Sequence, residues 1–356
     1  MGGYHMAVVG ATGAAGTELL RVLERRSFPV ASLRPIGSAR SVGKSVQFCG
    51  ESIPVEKLNG GSFEKIDIAF FSAGGDVSRT FVPIACQADA IVIDKSSAFR
   101  MDPHVPLVIP EINAEDVRLH RGIIANPNCT TTVMLMALYP LHQIFHVHRV
   151  FAATYQAVSG SGNRGVEELT QQTKTRAQEN CSRRPVGDAK KTASEQPESA
   201  LPATESPPAT VFPHPIAFNL LPHVDSFLES GYTKEEVKMQ DETRKIMHLP
   251  TLRVSATCVR VPVYRAHSVA VTAEFGRPVS VDQAREVLSK APGLELIDEP
   301  NNNHYPMPLT VAGKDNCHVG RVRLDCALEN GLSFWVAGDQ LLKGAALNAV
   351  QIAELL

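Results

Sequence analysis

One cysteine of this 356-residue chain stands where covalent chemistry could be done, in the run Ile123-Ile124-Ala125-Asn126-Pro127-Asn128-Cys129-Thr130-Thr131. An apolar stretch leads in, Pro127 punctuates it, and small polar residues follow where a helix-like segment, Val133 to Leu141, begins. A thiol in the first turn of a helix meets the positive end of the macrodipole, which favours thiolate and makes a nucleophile near neutral pH. Most free cysteines are buried core residues, so the case for a site depends on what else the chain supplies.

The elements that would position this thiol begin at the N-terminus. Met6-Ala7-Val8-Val9 reads as a buried strand running into Gly10-Ala11-Thr12-Gly13-Ala14-Ala15-Gly16, and an amphipathic helix follows with Leu19, Leu20, Val22 and Leu23 on one face. Strand, glycine turn and helix form the phosphate-binding opening of a dinucleotide domain, since glycines admit the pyrophosphate and the helix N-terminus offers N–H groups. This places Gly10, Thr12, Gly13, Ala14 and Gly16 at a cofactor. After the second strand an NAD site would carry a carboxylate, yet here Ser38, Arg40 and Ser41 stand in Gly37-Ser38-Ala39-Arg40-Ser41. Hydroxyls around an arginine suit an additional phosphate, so NADP is the expected cofactor. The strand Ile66 to Phe71 ends in Ser72-Ala73-Gly74-Gly75, where Ser72 and Gly74 suit close passage of the same cofactor. The strand Ala90 to Asp94 leads to Arg100, a candidate anion clamp.

Strands spaced by helices give a doubly wound parallel sheet whose ligands lie off the carboxyl ends of the strands, the edge on which Cys129 falls. Beyond it, Val150 to Ala157 alternates as a strand, and the helix Gly165 to Gln172 gives way to residues 182–210, rich in proline and without aromatics, expected to be a mobile loop. A charged helix spans Thr233 to Met247, a strand from Ala256 to Val263 carries Arg260, another from Val269 to Glu274 follows His267, and Gly344 to Leu356 is an apolar helix able to dock on the first domain.

A net charge of -2 with 44% hydrophobic residues gives no bias toward nucleic acid. No apolar run approaches the ~20 residues needed to span a membrane, so small-molecule partners are expected. The 7 cysteines are scattered without a C-x-x-C pair, which fits a reducing cytoplasm rather than a disulfide framework, and Met1 to His5 are too short and polar for a signal peptide. His142 and His146 have helical i, i+4 spacing, but no carboxylate or cysteine accompanies them and Pro140 disturbs the helix; no metal is expected.

Taken together these segments resemble the aspartate-semialdehyde dehydrogenase family over nearly the whole chain. The motifs are Gly10 to Gly16, Ser38 to Ser41, Ser72 to Gly75, Ser96-Ser97-Ala98-Phe99-Arg100, Asn126 to Thr131, Tyr155 to Gly160, Ile216-Ala217-Phe218-Asn219, Gly231 to Glu236, Arg260-Val261-Pro262-Val263 and Asp339 to Asn348. The resemblance implies an α/β chain with a Rossmann-type NADP-binding domain (1–128 and 337–356) and an α+β catalytic and dimerisation domain (129–336), acting as a homodimer. It implies NADPH-dependent reduction of L-4-aspartyl phosphate to the semialdehyde and phosphate, on the route to lysine, threonine and methionine. Cys129 would be the nucleophile, His267 the general acid and base, and Gln156 and Asn128 would orient the thioester. Arg260 would hold the substrate carboxylate, Glu235 its ammonium, and Arg100 and Lys238 its phosphate. Ser159, Gly160 and Gln340 would join the cofactor site. Two other readings compete: N-acetyl-glutamyl-phosphate reductase, whose nucleophile has glycine before it and tyrosine after where this chain has Asn128 and Thr130, and an inactive NADP-binding regulator, against which the joint presence of these residues speaks.

Overall fold

Two sheets of opposite character organise the chain in a computed structural model that describes residues 3–182 and 210–356. The first 125 residues contribute β1 (Tyr4–Val9), β2 (Val30–Gly37), β3 (Ser45–Phe48), β4 (Glu51–Pro54), β5 (Glu56–Lys57), β6 (Ile68–Phe71), β7 (Ile91–Asp94) and β8 (Ile123–Ala125). Six of them form a parallel sheet in the order β5-β2-β1-β6-β7-β8, and β3 and β4 pair as a separate hairpin. Both faces are covered: α1 (Ala14–Arg25) lies against one and α2 (Gly75–Gln87) against the other. Burial on both sides is why β6 reads as the unbroken apolar run Ile-Ala-Phe-Phe, buried throughout.

The second sheet is mixed and comprises β9 (Val147–Gln156), β10 (Arg253–Arg260), β11 (His267–Phe275), β12 (Leu294–Leu296), β13 (Cys317–Leu324) and β14 (Gly331–Gly338) in the order β10-β9-β11-β14-β13-β12. Its core packs α4 (Cys129–Phe145) with side chains of α6 (Lys234–Ile246) and α7 (Val281–Lys290). Among the shorter and flanking helices are α3 (Pro110–Asn113), α5 (Asn163–Ser182), α8 (Pro308–Val311) and α9 (Leu347–Ala353). The other face stays open around Phe151, which is exposed, and Tyr155, whose ring lies 5.1 Å from that of Trp335.

Several boundaries differ from those read in the sequence. The helix expected at Val133 to Leu141 begins at Cys129 and passes through Pro140 to Phe145, ending at His146 in a left-handed conformation. It is buried along nearly all of its N-terminal half, and that packing outweighs the backbone bond lost at proline. The helix expected at Gly165 to Gln172 spans Asn163–Ser182, and the anticipated loop that follows it lies, from residue 183 to 209, outside the described residues. The strand expected to reach Val263 stops at Arg260, because Pro262 cannot donate to a ladder. The closing segment opens as a π-helical turn, Leu342–Ala346, before α9, with the Asp339 carboxylate accepting from the N–H groups of Leu341 (2.9 Å) and Leu342 (3.3 Å). As expected, this segment packs on the first sheet, where Leu342, Leu347 and Val350 join the core beside α1.

Candidate active site

Cys129 is the first residue of α4, and Asn128 is its N-cap. The Asn128 side-chain oxygen accepts from the N–H groups of Thr130 (2.9 Å) and Thr131 (3.1 Å), which fixes the turn that presents the thiol. Its amide nitrogen donates to Glu235 Oε1 (2.8 Å), and its backbone N–H to Glu242 Oε2 (2.7 Å). Both glutamates, with Lys238, project from one side of α6, at the i, i+3, i+7 spacing of a helix face. That helix is started by a capping box in which Thr233 Oγ1 accepts from the Glu236 N–H (3.3 Å) and Glu236 Oε2 from the Thr233 N–H (2.7 Å).

Gln156 ends β9 directly beside Arg260, which ends β10. The Gln156 amide donates to Thr130 Oγ1 (2.5 Å) and Glu235 Oε1 (3.0 Å), and the Thr130 hydroxyl lies 3.9 Å from the Cys129 sulfur. Arg260 and His267 share one peptide: Arg260 donates to the Ala157 carbonyl (2.8 Å), and His267 Nδ1 accepts from the Ala157 N–H (3.1 Å). The latter bond leaves the proton of the neutral imidazole on Nε2, a fully buried atom without a hydrogen-bond partner among the described residues. A Cβ on Gly160 would stand 2.9 Å from the Arg260 guanidinium and 3.3 Å from His267 Nε2, so only glycine leaves this space open.

A cleft of about 300 Å³ joins this cluster to the glycine turn; Cys129, Asn128, Lys95 and Arg100 line one end and Gly13, Ala14 and Ser72 the other. Gly10 has φ +84°, and a Cβ there would meet the Ser72 carbonyl at 2.6 Å, so glycine brings the turn against β6. Gly13 caps α1 without any side-chain oxygen, and no acidic residue occupies the first turn, which leaves the helix N-terminus available to an anion. Gly16 is packed on the Gly10 carbonyl rather than facing the cleft. Thr12 Oγ1 and Ser41 Oγ are 3.1 Å apart, Ser38 precedes the short 3-10 turn Ala39–Ser41, and Arg40 is exposed beside them. Gly74 is the N-cap of α2. Ser159, Gly160 and Gln340 complete the lining; the Gln340 amide accepts from the Ala266 N–H (2.7 Å) and donates to the Ser159 hydroxyl. These residues fit a dinucleotide.

The electrostatics are less simple than a thiol on a helix dipole. Burial, reinforced by Glu235, pushes the Cys129 thiol above its ordinary value, while Lys95, the Thr130 hydroxyl and Arg100 pull it back. Desolvation thus opposes the ionisation that the helix dipole favours. Burial and the Arg260 charge hold His267 well below the usual imidazole range. Arg100 is buried and committed, donating to Glu242 Oε1 (2.9 Å), the Asn126 carbonyl (3.0 Å) and the Lys95 carbonyl (2.7 Å). Lys238 lines a neighbouring pocket with Arg100 rather than the thiol cleft. Against the cost of burial, Glu235 (3.3 Å) and Asp225 (2.6 Å) hold its ammonium above the ordinary lysine value.

Three residues at this site were not singled out for it from the sequence: Thr130, Glu242 and Gly344. Glu242 was discoverable as the third residue of the α6 face, and Thr130 as the neighbour of the thiol. Gly344 carries no local signal, yet a Cβ there would lie 2.8 Å from the Cys129 Cβ.

Family models for the semialdehyde dehydrogenase NAD binding domain and dimerisation domain match residues 5–120 and 138–343. Aspartate-semialdehyde dehydrogenase of Aquifex aeolicus is 50% identical over 99% of this chain and 98% of its own length, and that of Bacillus subtilis 45% identical over 99% and 97%. The chain belongs to the aspartate-semialdehyde dehydrogenase family. Aspartate semialdehyde dehydrogenase II of Vibrio cholerae, solved also as a complex with ASA, superposes with a TM-score of 0.87 at 40% identity over 99% of this chain and 98% of that one. Within the family's two-part architecture, Cys129 falls between the two matched segments and α9 lies beyond the second. No helix among the described residues is long and apolar enough to cross a membrane.

Proposed function

We propose that this protein reduces L-4-aspartyl phosphate with NADPH to L-aspartate 4-semialdehyde and phosphate, as a cytoplasmic homodimeric enzyme of lysine, threonine and methionine biosynthesis. The observation that carries the reading is that Cys129 lines one end of a cleft whose other end is the glycine turn, with Gln156 bonded to Thr130 beside the thiol and Arg260 and His267 packed behind Gly160 of the lining. Residues 1–128 with 339–356 form the cofactor half and 129–338 the catalytic half, the boundary lying after β14 rather than at 337 because Ala337 and Gly338 pair within the second sheet, with the open face around Phe151 and Tyr155 as the dimer surface.

The Cys129 sulfur attacks the acyl carbon, its S–C bond forming as the C–O bond to phosphate breaks. A dinucleotide held by Gly13, Ala14 and Ser72 would supply the hydride that reduces this thioester. The hemithioacetal then collapses, breaking the S–C bond and releasing the aldehyde. His267 Nε2–H faces the developing oxygen and donates a hydrogen bond to it; with Nδ1 occupied by the Ala157 N–H, the ring acts as this donor rather than as the general acid and base expected from the sequence. Arg260, with further N–H groups beyond its bond to Ala157, grips the substrate carboxylate. Glu235 receives the ammonium, Arg100 holds the phosphate, and Asn128 and Gln156 keep the acyl group aligned; Lys238, in the neighbouring pocket and paired with Asp225 and Glu235, acts through Glu235 rather than on the phosphate. Phosphate-dependent reduction of NADP with aspartate semialdehyde, run beside the N-acetylglutamate analogue, tests the assignment; turnover of the analogue alone would replace it.

Ser38, Arg40 and Ser41 next to Thr12 support NADP over NAD. Losing a charge-assisted phosphate contact costs about tenfold to a hundredfold in affinity. Arg40→Ala is therefore expected to raise the KM for NADP far more than that for NAD, and equal effects on the two would refute this cofactor contact.

A further inference from the structure

Three carboxylates near the reactive end of the cleft are already engaged. Asp94 accepts from the hydroxyls of Ser78 (2.8 Å) and Ser96 (2.7 Å), Glu242 is bound to Arg100 and Asn128, and Glu235 to Asn128, Gln156 and Lys238. Lys95 follows Asp94 at the carboxyl end of β7. Its backbone is held from both sides, the N–H donating to the Phe71 carbonyl (3.0 Å) and the carbonyl accepting from Arg100 (2.7 Å). The side chain lines the cleft with Cys129, and its ammonium has no hydrogen bond or ion pair among the described residues. The charges of Arg100 and Lys238 are met by carboxylates; that of Lys95 is not.

Lys95 is partly buried, and a cation partly withdrawn from water without a counter-charge is favoured by an anion placed beside it. The group within the same cleft that can become that anion is the Cys129 thiol. We propose that Lys95 is the counter-cation of the Cys129 thiolate, a positioning residue that acts through the sulfur by drawing its ionisation toward neutral pH. The proposal rests on Cys129 being the nucleophile.

The surroundings agree with this assignment. Burial brings Lys95 down to about 8, so the ammonium is present at neutral pH and is lost above that value. Each group biases the other: the thiolate favours the ammonium, and the ammonium favours the thiolate. Of the other charges facing the sulfur, Glu235 on α6 opposes ionisation, Arg100 favours it with a charge largely answered by Glu242, and Arg260 at the end of β10 also senses the thiol. His267 is neutral in this range. Lys95 is accordingly the charge most able to offset desolvation of the sulfur.

Iodoacetamide, a neutral reagent, reads the thiolate directly when alkylation of Cys129 is followed against pH in the cofactor-free full-length protein, where loss of a cofactor contact cannot mimic the effect. Lys95→Met is expected to move the profile up by about one pH unit, which slows alkylation about tenfold near neutrality, and Lys95→Arg to restore it. A Lys95→Met profile that superimposes on that of the unaltered protein overturns the proposal. Should Lys95→Met fail to fold, the reciprocal measurement replaces it: Cys129→Ser should lower the pH at which the Lys95 amine becomes reactive to acetic anhydride, and an unchanged amine profile is equally fatal. If Cys129 is not the fastest-alkylated cysteine of the unaltered protein, the nucleophile assignment falls and the proposal with it. If it is fastest and its profile ignores Lys95, the proposal alone falls.

Discussion

Cys129→Ala is expected to abolish turnover while leaving NADP binding intact, because it removes the sulfur that forms the acyl bond and leaves the glycine turn and Ser38 to Ser41 untouched. His267→Ala should behave differently. The thiol remains, but the donor at Nε2 is lost, and the usual cost of removing such a group is about 10²- to 10⁴-fold. Residual activity should thus be measurable in one variant and absent in the other. Steady-state rates together with cofactor titration separate the two. Substantial turnover by Cys129→Ala would defeat covalent catalysis at this sulfur.

Glu242→Ala is expected to lower stability more than any single change at the substrate end of the cleft. Glu242 is 1% exposed, answers the buried Arg100 charge at 2.9 Å and accepts from the Asn128 N–H at 2.7 Å. Removing one partner of a buried pair strands the other, at a cost of about 3–5 kcal/mol, against a total stability of order 5–15 kcal/mol for a folded domain. The melting temperature should fall by roughly ten degrees. Replacing both Arg100 and Glu242 by methionine should recover much of that loss, since an uncharged pair has nothing to strand, yet leave phosphate binding impaired. If Glu242→Ala melts like the unaltered protein, Glu242 does not hold this end of the cleft together.

What was legible in the sequence was local. The turn from Gly10 to Gly16 and the strand before it follow from a few adjacent residues, and the short path from β6 to Ser72 and from β8 to Cys129 puts both on the same sheet edge. Period and punctuation suffice for such features. The remainder depends on encounters between distant residues. Asn128 reads as a polar neighbour of the thiol until α6 supplies Glu235 and Glu242, more than a hundred positions away. The helix dipole at Cys129 was visible, but the desolvation that opposes ionisation there was not, because burial is a property of the assembled fold. Pro140 marks a break by its own chemistry and fails to make one in a helix packed this deeply.

The π-helical turn at Leu342–Ala346 has a bearing on how the protein comes into being. Gly344 rests against Cys129 while its neighbours Leu342 and Leu347 fill the core under α1. The thiol therefore emerges from the ribosome long before the segment that seats it, and the nascent chain carries a nucleophile without an assembled site until residues 339–347 have been translated. A chain ending at Gly338 is expected to retain the second sheet and to show Cys129 alkylated no faster than the exposed Cys49. Maturation of the site would then wait for this segment, protecting a nucleophile from acting before its substrate pocket exists.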